Sequence, residues 1–168
     1  MNDKIRFLDE LAGNAWSAII QQQFEGWRLR FSNGVTRRAN SVLTNGPTPN
    51  LANWLEEIEA FYRRRNLPSR FQISPGSPAG LDDFLEQQGY TIDAETTVMT
   101  ASTSNVCDLA KSATRFTLDL QPALTADWLD ALIGTEGFPE ARRHDCQGIF
   151  GGVAPLACLP CLSVGDIS

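Results

Sequence analysis

The residues best placed to do chemistry are four arginines, Arg28, Arg30, Arg37 and Arg38, gathered in EGWRLRFSNGVTRRANSV over 25–42. Guanidinium groups clustered at a tight turn could hold a carboxylate or a phosphate. Trp27, Leu29 and Phe31 alternate with Arg28 and Arg30, the period of a half-buried strand. Asn33-Gly34 suits a type I′ hairpin turn because both residues tolerate positive φ, so a return strand is expected over 35–43. In that hairpin Arg28 and Arg30 face water. Arg37 and Arg38 are adjacent and point to opposite faces, so one of them must turn inward and find a carboxylate, a carbonyl or a ligand. The plain expectation is three solvated arginines and one internal ion pair. Arg38→Ala tests it, since breaking a buried pair costs about 3–5 kcal/mol. Asn40 and Ser41 add polar atoms beside the arginines.

Other patterns carry less. His144-x-Cys146 and Cys158-x-x-Cys161 supply four zinc-type ligands, but Pro160 interrupts the pair and no glycine knuckle surrounds it. Cysteine in an apolar run is more often a small buried hydrophobe, and no metal is expected. The same Cys158–Cys161 pair falls within a predicted strand, where no helix N-terminus lowers a thiol pKa, so redox chemistry is not expected either. Gly148-Ile149-Phe150-Gly151-Gly152 reads as a turn, not a phosphate loop, which should leave a strand and enter a helix. No Gly-x-Ser-x-Gly elbow exists, and Asp82-Asp83 and Glu56-Glu57 are adjacent carboxylates on solvated helix faces.

The elements that must position the arginines are set by periodicity. Ile5, Phe7, Leu8 and Leu11 recur at helical spacing before Gly13-Asn14. Trp54, Leu55, Ile58, Phe61 and Tyr62 form the stripe of a second helix, acidic early and basic late. A short strand at Phe71 and Ile73 precedes a helix over Leu81, Phe84 and Leu85 that Gly89 closes. Val98 to Thr100 is expected as a strand and 102–111 as a linker. Arg115 to Leu120 reads as a strand, Thr125 caps a helix stopped by Gly134, and Leu156 to Val164 reads as a final strand with no partner after it. The C-terminal portion therefore looks unfinished.

The totals fit a soluble chain of one domain, or one small domain and part of another: 168 residues, 42% hydrophobic and 20% charged. A net charge of −6 and a pI near 4.7 argue against nucleic acid or an anionic membrane as partner. The N-terminus has no signal-peptide core, and the longest apolar run, 153–164, is too short to span a bilayer. Reduced cysteines and a cytoplasmic location are expected.

LDELAGNAW (8–16), GWRLRFSNGVTRRANSV (26–42), the helix end AFYRRRNLP (60–68) and Gly80-Leu81 through Gly89-Tyr90 resemble bacterial GNAT-family N-acetyltransferases of a two-half type. The resemblance covers most of 5–165, and Arg38-Ala39-Asn40-Ser41 is its most specific piece. It implies an α+β fold with a mixed, largely antiparallel sheet and flanking helices. Residues 1–103 would be a degenerate N-terminal half and 104–168 the truncated opening of the second. It implies acetyl transfer from acetyl-CoA to a primary amine without a metal, and places Arg30, Arg38, Asn40 and Ser41 in the architecture or on the substrate side. The family's pyrophosphate loop, Arg/Gln-x-x-Gly-x-Gly/Ala, is absent from the sequence. No catalytic or coenzyme-contacting residue can be carried over, and the chain alone is expected to be inactive. The alternative is a non-catalytic module that binds a small anion or a protein and forms a homodimer through an open sheet edge.

Overall fold

The computed structural model describes residues 2–110, 116–153 and 159–164. Helix α1 (Asn2–Ala15) leads into a sheet of four strands in the order β1 (Ile20–Phe24), β2 (Trp27–Phe31), β3 (Val42–Leu43) and β4 (Phe71–Gln72). The pairs are antiparallel except β3 with β4, which is parallel. Helix α2 (Trp54–Arg63) connects β3 to β4, and α3 (Leu81–Gln87) comes after β4. Helix α4 (Thr103–Ala110) stands in place of the expected linker. Next come β5 (Phe116–Gln121), α5 (Ala126–Glu136), α6 (Arg143–Gly151) and β6 (Leu159–Val164). The final strand, β6, pairs antiparallel with the earlier β5, from Phe116↔Val164 to Gln121↔Leu159.

The hairpin turn lies one strand earlier than the sequence suggests. Glu25 (φ 46°) and Gly26 (φ 93°) close β1 onto β2, with Phe24 opposite Trp27. Asn33 and Gly34 do take positive φ, 50° and 77°. Thr36 is left-handed too and a 3-10 turn is formed at Arg38–Asn40, so the chain loops instead of returning, and the expected strand over 35–43 shrinks to Val42–Leu43.

One face of the sheet carries the core. Trp27, Leu29 and Val42 pack beneath Ile58, Phe61 and Tyr62 of α2 and Leu81 and Leu85 of α3. Trp27 meets Trp54 and Phe71 edge-on at 5.2 and 6.3 Å, the geometry that aromatic quadrupoles favour. Gly89 (φ 88°) ends α3 as its spacing predicts, with Tyr90 N–H donating to Leu85 O. Thr125 caps α5 by accepting from Trp128 N, but Gly137 (φ 66°), not Gly134, stops that helix. Residues 98–100 form no strand, and Val98 and Met99 are 72% and 85% exposed.

A second core joins the loop 32–41 to the later helices. Val35 and Ala39 pack with Leu129 and Ile133 of α5 and with Cys146, Ile149 and Phe150 of α6. Polar bonds reinforce the contact: Ser17 Oγ donates to Ile149 O at 2.6 Å, Asn33 Nδ2 to Asp145 Oδ1 at 2.7 Å, and Arg142 Nη1 to Asn33 O at 2.7 Å. Trp128 Nε1 donates to Pro160 O, tying α5 to β6.

Candidate functional site

The strand register puts Gln21, Gln23, Arg28, Arg30, Leu43 and Gln72 on the face opposite the aromatic core. Strand parity predicts this face correctly, but it does not face water at Arg30. Helix α1 covers it, and Arg30 is completely buried. Its Nε donates to Ser41 O at 3.2 Å, and its Nη2 donates to Ser41 Oγ and Gln72 Oε1 at 2.7 Å each. Its Nη1 has no acceptor, and no carboxylate pairs with it among the described residues. Burial lowers the Arg30 pKa to about 10, with Arg28 and Arg38 pushing the same way and Tyr62 opposing. The group stays charged at neutral pH.

What faces the guanidinium is the end of α1. A Cβ on Gly13 would stand 3.6 Å from Arg30 Nη1 and 3.8 Å from Arg28 Nη1. Arg28 also donates to Asn14 Oδ1 at 3.1 Å. The last turn of α1 has no basic residue of its own. Arg28 and Arg30 supply from the sheet the positive charge that a helix C-terminus favours. Behind Arg30, the Tyr62 hydroxyl accepts from Arg30 N and donates to Arg30 O, at 3.2 and 3.1 Å. Burial raises the Tyr62 pKa far above its ordinary value. In the sequence Tyr62 reads only as part of an apolar stripe, Gly13 only as a helix stop, and Gln72 carries no signal beyond strand parity.

Asn40 is the centre of the loop. Its buried Oδ1 accepts from Ser32 N at 2.8 Å and Gly34 N at 3.1 Å, while Nδ2 donates to Val35 O and Thr36 O. One side chain thus satisfies four backbone groups that no strand pairs. Ser41 Oγ links Arg30 Nη2 to the Arg38 carbonyl, to which it donates at 3.1 Å. Arg30, Ser41 and the Arg38 backbone therefore meet, with Asn40 fastening the loop beside them. The Arg38 side chain does not join them. It is exposed over the Trp16 ring, 5.1 Å from its centroid, and forms no ion pair among the described residues. The inward arginine is Arg30, not Arg38, because the loop frees residues 37 and 38 from strand parity. Arg37 pairs at the surface with Asp93, which Arg70 shares.

Two hollows flank α1. A cleft of about 630 Å³ is lined by Arg6, Gly46, Ser74, Ser77, Pro78 and Asp82, and one of about 200 Å³ by Glu10, Gln23, Arg28 and Asn45. No group of three metal ligands forms among the described residues. Of the zinc pattern, Cys146 is packed in the second core, where burial pushes its thiol up, and Cys158 lies outside the described residues.

A family model described as the C-terminal region of a probable histone acetyltransferase, Rv0428c, matches residues 2–158. The chain belongs to the GNAT-type N-acetyltransferases. It is 36% identical over 153 residues to the uncharacterized N-acetyltransferase YobR of Bacillus subtilis (strain 168), covering 91% of this chain and 62% of that protein. The chain thus spans less than two thirds of that relative's length. No solved structure matches it. The α+β architecture, with its mixed, mostly antiparallel sheet, is GNAT-like.

For this GNAT chain the coenzyme's pyrophosphate asks for a glycine-rich turn at a helix N-terminus. The described residues do not fit that need. Gly148, Gly151 and Gly152 fall within and just after α6, not in the expected turn, so they lie at the carbonyl end of a helix dipole, which repels phosphate. Gly148 and Gly152 serve close packing: a Cβ at Gly148 would stand 3.0 Å from Ile19, and one at Gly152 3.0 Å from Ser17 Oγ. The Pro75–Gly80 turn before α3 leads to Asp82 and Asp83, whose charges also oppose a phosphate. No helix among the described residues is long and apolar enough to cross a membrane.

Proposed function

We propose that the chain serves an N-acetyltransferase that moves acetyl from acetyl-CoA to a primary amine. Residues 1–103 form its acceptor-side half, 104–168 open the second half, and the protein works in the cytoplasm. The loop 32–41 shapes the acceptor side: Arg38 reaches outward, and Arg30, Asn40 and Ser41 hold the backbone that presents it. The observation that carries this reading is the Asn40-locked loop, standing on a buried arginine and presenting Arg38 at the surface. Acetyl-CoA enters as the acetyl donor, and no chemical step is assigned to residues of this chain.

Calorimetric titration of the 168-residue chain with acetyl-CoA tests the assignment. The expected result is no binding in the micromolar range and no release of free CoA thiol when primary amines are added. Micromolar binding with thiol release would mean that the chain itself holds the coenzyme, and would overturn the division proposed.

A further inference from the structure

Strand β1 is one edge of the four-stranded sheet, and among the described residues it has none of the usual protections. Its sequence, Ile20-Gln21-Gln22-Gln23-Phe24, contains no charge and no proline, and residues 20–23 are all exposed. Edge strands normally carry lysine, proline or a bulge that discourages further pairing. The hydrogen-bond phase is fixed by the two-residue turn. Phe24 and Trp27 close the hairpin as a bonded pair, so Phe24, Gln22 and Ile20 bond inward to β2. The backbone groups of Gln21 and Gln23 then point outward, and no backbone bond reaches them among the described residues.

We infer that β1 pairs with β1 of a second copy of this chain, antiparallel about a two-fold axis through Gln22. This pairing does not depend on the acetyl-transfer reading. In that register the outward groups of Gln21 bond those of Gln23 on the other copy, twice. Ile20 falls opposite Phe24, so apolar side chains meet at both ends and extend the core face across the axis. Gln22 falls opposite itself, where glutamine amides bond each other without repulsion. Neutrality is the argument for a second copy over another partner. Two chains of net charge −6 repel over most of their surfaces, whereas the five residues of this strand carry no charge themselves. Its pattern of one apolar residue, three glutamines and one apolar residue is complementary to itself.

Sedimentation at submillimolar concentration should give a dimer of the 168-residue chain that dissociates on dilution. Gln21→Pro removes an outward N–H and no bond to β2, so it should give a monomer with unchanged circular dichroism. Gln22→Lys and Gln22→Glu should each be monomeric alone, because like charges would face across the axis, and should form a one-to-one heterodimer when mixed. If Gln21→Pro does not fold, the charge pair decides. A wild-type chain monomeric throughout, a dimer that survives in folded Gln21→Pro, or a mixture that stays monomeric would each overturn the inference.

Discussion

At the residue scale, three neighbours, Arg30 in β2 and Arg38 and Asn40 in the loop after it, are expected to respond differently to mutation. Arg30 is buried without a carboxylate, and each of its acceptors has another source of satisfaction. Ser41 O also accepts from Arg30 N, Ser41 Oγ still donates to Arg38 O, and the Gln72 amide is only partly buried. Replacing a buried ion pair by apolar side chains of similar volume is often neutral or stabilising by about 1–4 kcal/mol, and Arg30 bears the same desolvation without a paired carboxylate among the described residues. Arg30→Met should therefore leave stability unchanged or raise it. Arg38→Ala loses an exposed cation–π contact worth about 0.5–1 kcal/mol. Asn40→Ala strands the buried Ser32 N and Val35 O, each at about 1–3 kcal/mol, and leaves the less buried Gly34 N and Thr36 O to water. Urea unfolding should rank Asn40→Ala far below the other two. A fall in Arg30→Met as large as that of Asn40→Ala would show that Arg30 is a stability residue. The ranking implies that Arg30 sets loop geometry at an energetic cost, which is where functional constraint departs from optimal packing.

At the element scale, patterning reveals what a single stretch can encode. The stripe of α2, the glycine that ends α3 and the threonine that caps α5 are local signals, and each element forms where its signal lies. Strand β1 is illegible in the sequence because three consecutive glutamines hide its alternation, and it is recognisable only as the partner of β2. Arg30 is misplaced for a related reason. Strand parity gives its face, but that face becomes an interior only when α1 folds over it. Phe7 and Leu11 of α1 are left exposed, and the contact runs through Gly13 and polar groups. The stretch 148–152 has helix-breaking composition, yet forms the end of α6 because tertiary contact requires small residues there. This can be tested. A Cβ at Gly148 meets only the Ile19 side chain, which is exposed and can move. One at Gly152 meets Ser17 Oγ and, at 3.1 Å, the carbonyl of Gly148. Gly152→Ala should cost about 1–3 kcal/mol as overpacking against backbone, and Gly148→Ala distinctly less. Equal melting temperatures for the two variants would refute the distinction.

At the scale of the whole molecule, the two cores share no residue and meet through the loop 32–41. Val35 and Ala39 belong to the second core, whereas Asn40 ties the same loop back to Ser32 at the end of β2. The loop could owe its shape to the helices packed on it or to its own bonds. The four Asn40 bonds lie wholly within the loop, which argues for the second source. Phe150 gives a way to separate them, because it meets Trp16 at 4.7 Å and Trp128 at 5.3 Å and anchors α6 in the second core. Phe150→Ala should cost about 3–5 kcal/mol locally, as a buried aromatic lost to a cavity. Hydrogen exchange should quicken along α5 and α6, while the Ser32 and Gly34 amides held by Asn40 stay protected with β2. Exchange at Ser32 and Gly34 as fast as in α6 would mean that the loop depends on the second core. Retained protection would mean that the proposed acceptor side is preformed by the four-stranded sheet and its loop, and that α5 and α6 dock onto a surface already made.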